Sequence, residues 1–195
     1  LMTIGIREYT GNEPQRFIHW PSSVKHGSLM VKKFDFTTDN SVLIALNIET
    51  MKPSWQPIEK DLIENCISIA RGVMEELEDE KIPYGLITNA YNDLSVYEKG
   101  YYYHLGLGSH HLETLIEILG RLSYKSDTLF ENIIKSIIKR QGNYTTVVII
   151  TSRILDTYIE PINRLSSIVS KMVVISLEDE YLDNLHGDIT KYRGE

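Results

Sequence analysis

The sequence predicts a three-layer α/β/α sandwich around a mostly parallel central sheet. Three observations lead there. Val42 to Leu46 is an unbroken apolar run, and Thr145 to Thr151 is a second run, framed by threonines; such runs suit strands buried on both faces. The stretches that follow carry apolar residues at helical spacing. Strand-like and helix-like segments then alternate, which is the pattern of parallel strands joined by crossover helices. The hub is Val42 to Met51, a strand-loop-helix opening; in open α/β sheets, ligands gather at the carboxyl ends of such strands.

Each element has its own warrant. Ile4 and Ile6 alternate with polar neighbours, as a short strand does. Thr10 to Pro14 is turn chemistry, with Pro14 suited to start a helical turn, and His26-Gly27-Ser28 is a second turn. Leu29 to Phe36 reads as extended and leads toward the hub. From Ile58, the residues Leu62, Ile63, Cys66, Ile67, Ala70, Val73, Met74 and Leu77 form one broad helical stripe. That helix ends in the acidic run Glu75 to Glu80, where the helix dipole is unfavourable to acids, so a frayed, solvated end is expected. Pro83 to Ala90 reads as the second strand. Val96-Tyr97 and Tyr101 to Tyr103 flank a turn, as in a hairpin or edge strand, and edge packing or an aromatic partner patch would each account for the three tyrosines. Ser109 is placed to cap a helix bearing Leu112, Leu115, Ile116 and Leu119. Thr128 and Glu131 have capping-box spacing before Ile133, Ile134 and Ile137. A helix over 155–169 and a strand from Met172 to Leu177 complete the series, and the tail from Asp179 reads as polar and irregular.

Composition narrows the function. A chain of 195 residues suits one domain or one domain with an extension. The net charge of −7 argues against general nucleic-acid or anionic-membrane binding, which need a basic surface. One cysteine, Cys66, excludes an internal disulfide and fits a reducing compartment. It sits inside the helical stripe, where a thiol is usually buried and inert. No apolar run has the length of a membrane span and no signal-peptide pattern is present, so the chain reads as a soluble piece of something longer. No nucleophile-base-orienter set and no phosphate-cradling glycine loop is present, so no enzymatic activity and no cofactor is expected.

Residues 1–38 are locally basic and differ from 39–195. They contain Arg7-Glu8-Tyr9-Thr10-Gly11-Asn12-Glu13-Pro14-Gln15-Arg16-Phe17-Ile18-His19-Trp20, followed by Ser23, Lys25, Leu29, Val31 and Lys32. This segment resembles the signature of the bacterial domain of unknown function 58 (DUF58) family: an Arg-x-Tyr opening, Gly-Asp, an Arg, Ile-His-Trp, a small residue, a basic residue and a Leu-x-Val-Lys strand. Asn12 departs from it, where the family has Asp. The part over 39–195 resembles a von Willebrand factor A-type (vWA) domain, a Rossmann-like fold that this family carries at its C-terminal end. The resemblance implies a cytoplasmic domain of a membrane-anchored parent, and a MoxR-type AAA+ ATPase as protein partner in complex assembly. Arg7, Tyr9, Arg16, His19 and Trp20 are candidate interaction residues, since Arg and Trp are favoured binding anchors. Trp20 would serve equally well in packing, with Arg16 and His19 bonded to backbone.

The resemblance also implies a metal-ion-dependent adhesion site, an Asp-x-Ser-x-Ser after the first strand, a later Thr and an Asp after the fourth strand. Here those positions fall on Asn47, Glu49, Met51, Ser109 and Ser152, with Arg153 adjacent. One carboxylate and a thioether are a poor set for a hard cation. The expectation is therefore a degenerate site with no metal, the alternative being a Mg²⁺- or Mn²⁺-dependent ligand binder. His104, His110, His111 and Glu113 offer transition-metal chemistry or solvated and capping roles; adjacent His110 and His111 would point about 100° apart on a helix.

Overall fold

A computed structural model describes residues 2–9, 18–35, 40–50, 58–91, 100–140, 142 and 144–194. The chain forms two compact units, Leu1–Asp39 and Asn40–Glu195.

In the first unit, β1 (Met2–Glu8) pairs antiparallel with β2 (Met30–Asp35), with a register shift between Thr3 and Gly5. Between them lies the two-turn helix α1 (Trp20–His26). The turn at His26-Gly27-Ser28 closes it, with Gly27 at φ 69, the left-handed conformation that glycine adopts without a Cβ clash. The segment 10–17, where the sequence predicts a turn and a helical start at Pro14, lies outside the described residues.

The second unit is a six-stranded sheet in the order β5-β4-β3-β6-β7-β8. Its strands are β3 (Val42–Leu46), β4 (Tyr84–Thr88), β5 (Tyr101–Gly106), β6 (Thr146–Thr151), β7 (Lys171–Ser176) and β8 (Thr190–Arg193). All run parallel except β5, which is antiparallel to β4 at one edge. The hub strand β3 lies between β4 and β6, and all five of its residues are buried.

Alternation along the strands feeds two cores. Val42, Ile44 and Leu46 join Leu86, Val148 and Ile150 against α2 (Lys60–Asp79) and α3 (Ser109–Gly120), which supply Cys66, Ala70, Met74, Leu115 and Leu119. Leu43 and Ala45 join Val147, Ile149 and Val174 against α4 (Phe130–Arg140) and α5 (Asp156–Ser166), which supply Phe130, Ile134, Ile137, Tyr158 and Ile162. These are the expected three layers.

Three expectations need correction. The tail is ordered: Leu182, Leu185 and Ile189 are buried, a 3-10 turn spans Leu182–Asn184, and β8 extends the sheet. The acidic end of α2 is not simply frayed. The Glu78 carboxylate accepts the Tyr84 hydroxyl at 3.1 Å and the Gly108 N–H at 2.9 Å, which gives an acid at an unfavourable helix end two donors. Ser109 is the first residue of α3 rather than its cap; Gly108, at φ 110, takes the cap position.

Candidate functional site

The carboxyl ends of three neighbouring parallel strands deliver polar residues to one place. Asn47 and Glu49 follow β3, Asn89 follows β4, Thr151 ends β6 and Ser152 follows it. All are buried. Asn47 is the centre. Its Oδ1 accepts the Glu49 N–H and the Asn89 Nδ2–H, each at 2.9 Å, and its Nδ2 donates to Thr151 Oγ1 at 2.9 Å. Asn89 Oδ1 accepts the Ile48 N–H at 2.9 Å. Thr151 Oγ1 donates to the Arg153 carbonyl at 2.9 Å, and Ser152 Oγ lies 3.5 Å from the Glu49 carbonyl. Each strand end is thus tied to its neighbour through side-chain amides, which satisfy buried backbone groups where the ladder stops.

Glu49 extends this network to the helices. Its Oε2 accepts the Phe130 N–H at 2.7 Å and the Tyr158 hydroxyl at 2.8 Å. A carboxylate at a helix N-terminus meets unsatisfied N–H groups and the positive end of the dipole. Burial first, and the Glu49 charge next, hold the Tyr158 hydroxyl well above the usual tyrosine range. The other carboxylate oxygen, Glu49 Oε1, is buried with no partner among the described residues. Arg153 turns toward two acids, Glu59 at 2.9 Å and Glu178 at 2.8 Å.

A hard divalent cation needs several oxygen ligands of sufficient charge. Among the described residues that follow these strands, Glu49 supplies the buried carboxylate; one of its oxygens already receives two donors, and the Asn47 oxygen receives two more. The described oxygens do not fit such an ion. Met51 lies outside the described residues. Ser109 lies at the wrong end of the sheet: β5 runs antiparallel, its last residue Gly106 pairs with Tyr84 at the start of β4, and the following loop therefore sits at the amino ends. The loop that does reach the carboxyl ends is 121–129. There Asp127 N–H bonds to Asn89 O at 2.8 Å, and Asp127 Oδ2 accepts the Gly100 N–H at 3.1 Å.

The other candidates separate. His111 is buried, and its Nε2 donates to the Tyr84 carbonyl at 2.8 Å, so that nitrogen is engaged in the fold. The His104 ring stacks on Tyr103 at 4.6 Å, while His110 and Glu113 are exposed on α3. Among the described residues, no group of three or more His, Cys, Asp or Glu is arranged to hold a metal ion. Cys66 is fully buried, and burial pushes its thiol up to about 12. Tyr101, Tyr102 and Tyr103 are half-buried on the edge strand.

In the first unit, His19 caps α1: its Nδ1 accepts the Ser22 N–H at 3.3 Å and lies 2.8 Å from Ser22 Oγ. Ser23 Oγ bonds to the His19 carbonyl at 3.0 Å and accepts the Met30 N–H at 2.8 Å. Tyr9 N–H bonds to the Leu29 carbonyl at 2.8 Å. Trp20 is 62% exposed. Arg16 and the side chain of Arg7 lie outside the described residues. The motif thus splits into a helix-capping part and an exposed tryptophan.

Sequence reasoning missed Asn89, Thr151 and Asp127, although a polar residue directly after a buried strand is a legible signal for the first two. Tyr158 carried none, being one aromatic in an amphipathic helix.

No known family pattern matches the chain, and no curated protein does. Similar solved structures include an aerotolerance-related membrane protein from Bacteroides fragilis, in a form with several residues changed to serine. It is 18% identical, with a TM-score of 0.44, over 70% of this chain and 67% of that one. The SpRpn10 VWA domain is 11% identical, with a TM-score of 0.49, over 80% and 87%. The Deinococcus radiodurans RO (RSR) protein is 13% identical, with a TM-score of 0.47, over 80% of this chain and 32% of that one. The assignment as a vWA-like α/β fold rests on the chain's own strand order and its one antiparallel edge.

Proposed function

We propose that the chain is a non-enzymatic, vWA-like protein-interaction domain with a degenerate adhesion site. The observation that carries this reading is the polar network at the carboxyl ends. Asn47, Asn89 and Thr151 spend their polar atoms on one another and on backbone, and Glu49 is drawn to α4 and Tyr158. Groups used in this way hold loops in place rather than wait for an ion. The loops so held expose Tyr91, Lys125 and Asp127. The DUF58 resemblance supplies the partner of this reading, a MoxR-type AAA+ ATPase met in the cytoplasm by a membrane-anchored parent. No described helix is long and apolar enough to cross a membrane.

The test is a calorimetric titration of the chain with a purified MoxR-type ATPase. Saturable binding is expected, and Tyr91→Ala should weaken it about tenfold, as loss of an aromatic anchor does. Absence of binding would overturn this partner assignment.

A second reading, a Mg²⁺- or Mn²⁺-dependent ligand binder, draws on the unpartnered Glu49 Oε1. Thermal unfolding after EDTA treatment, with and without millimolar Mg²⁺ or Mn²⁺, separates the two. A site filled at a hundred times its dissociation constant adds about 2.7 kcal/mol. The first reading expects no shift in midpoint; a clear rise would favour the second.

A further inference from the structure

The outer face of α5 lines a groove that shares no residue with the polar network at the carboxyl ends. Its volume is about 650 Å³, within the range of ligand-binding clefts. Asp156, Glu160 and Arg164 recur every fourth residue and so form one stripe along the helix, with Ile159 and Asn163 in the stripe beside it. The other wall is His186, from the tail before β8. Asn163 ties that wall to the helix: its Oδ1 accepts the His186 N–H at 2.9 Å. Its Nδ2 is left as a donor with no bond among the described residues.

The charges in this groove are sorted but not paired. Asp156 and Glu160 place two carboxylates toward one end, and Arg164 places a guanidinium toward the other. These three residues and His186 are exposed, while Ile159 and Asn163 are half-buried. Among the described residues, none of the four exposed side chains enters an ion pair. The same spacing does close elsewhere in the protein: Arg71 meets Glu75 at 2.8 Å, and Arg121 meets Glu117 at 2.6 Å. Acid before base is the more favourable order on a helix, yet Glu160 and Arg164 stand open. The dipole of α5 favours Asp156 in the first turn and Arg164 in the last. It accounts neither for Glu160 nor for the wall at His186.

We propose that this groove binds a short zwitterionic peptide, about three residues long, laid along α5 with its amino group at Asp156 and Glu160 and its carboxylate at Arg164. The lengths agree. At the helical rise, Arg164 lies about 12 Å along the axis from Asp156 and about 6 Å from Glu160. An extended tripeptide spans about 10 Å, so its amino group falls between the two acids when its carboxylate meets the guanidinium. Asn163 Nδ2 donates to a peptide carbonyl on the way, and Ile159 offers an apolar contact to the central side chain. Exposed charge pairs are individually weak, so the groove selects for both chain ends together and releases the peptide readily. No ATPase enters this site or its test, so a failed ATPase titration and a failed peptide titration remain separate results.

The test uses the full chain and a calorimetric titration at neutral pH. The probe is the tripeptide Gly-Leu-Gly with both ends free. Companion probes are its N-acetyl form, which lacks the ammonium, and its C-terminal amide, which lacks the carboxylate. Saturable binding of the free tripeptide is expected, weakened about fivefold by either cap, the upper end for an exposed charge pair. Two variants assign the ends. Glu160→Gln should reduce the penalty for N-acetylation and leave that for amidation; Arg164→Gln should do the reverse. Both positions are exposed, so each variant is expected to keep the parent's thermal midpoint. No saturation at millimolar tripeptide overturns the proposal. So does binding that ignores either cap, and so does a cap penalty that neither variant changes.

Discussion

Glu49 follows the hub strand, and the structure turns its carboxylate inward. One side chain after β3 holds the first N–H of α4 and the hydroxyl of Tyr158 on α5. Glu49→Ala would leave both donors buried without their acceptor. Lost hydrogen bonds to a charged group cost about 1.5–3 kcal/mol each, with partial relaxation, so a loss of about 2–4 kcal/mol is expected in chemical denaturation. Glu49→Gln keeps the shape and an acceptor oxygen, and should cost about 1 kcal/mol. Equal losses for both variants would show that the carboxylate's charge carries the effect rather than its shape. Arg153 is the complementary case. A cation buried to this degree persists because Glu59 and Glu178 flank it. It compensates charge within the fold, and residue types alone do not tell which acids it meets.

At the scale of elements, legibility followed burial. β3 and β6 were readable because strands covered on both faces must be apolar throughout, and α2 because its stripe spans five turns. β8 was not. It has four residues, Thr-Lys-Tyr-Arg, and an edge strand this short has no apolar run to show. Its anchors, Leu182, Leu185 and Ile189, precede it in an irregular stretch that no periodic test detects. A concrete check follows. Leu185→Ala should destabilise the protein by about 2–4 kcal/mol, as a buried leucine does and a solvated tail residue does not. The direction of β5 was equally hidden. Three tyrosines suit an edge strand of either direction, but only the antiparallel one carries Ser109 to the amino ends. Direction is a property of pairing, so Asn47, Glu49 and Ser152 lie together at the carboxyl ends of the parallel strands while Ser109 lies at the other end of the sheet. The same reversal left the 121–129 loop, with Asp127, as the one that meets Asn89.

For the molecule as a whole, several protons are held more tightly folded than unfolded, those of Cys66, Tyr84 and Tyr158 in the core among them. Burial raises the Cys66 thiol to about 12, burial and then the bond to Glu78 raise the Tyr84 hydroxyl, and burial and then the charge of Glu49 raise that of Tyr158. The unfolded chain releases these protons first, so the stability they contribute is complete below the unfolded values and is lost as pH rises. The thermal midpoint should fall from about pH 9 upward, toward pH 12. Tyrosinate absorbance from Tyr84 and Tyr158 should appear with unfolding rather than before it, and Cys66 should resist thiol reagents at neutral pH until the protein is unfolded. The cores also divide cleanly. Every buried residue of the three apolar clusters lies in the second unit. Residues 40–195 alone should therefore melt in one cooperative transition within a few degrees of the full chain, followed by circular dichroism.

The position of β3 has a consequence for synthesis. Its neighbours are β4 and β6, and the amide of Asn47 finds Thr151 only 104 residues later. At ribosomal rates of about 5–20 residues per second, that separation takes roughly 5–20 s to translate. Through that interval the most apolar strand of the protein has emerged with one flank open. An apolar strand with an unpaired edge is prone to wrong pairing, and this exposure ends when Thr146–Thr151 leaves the tunnel.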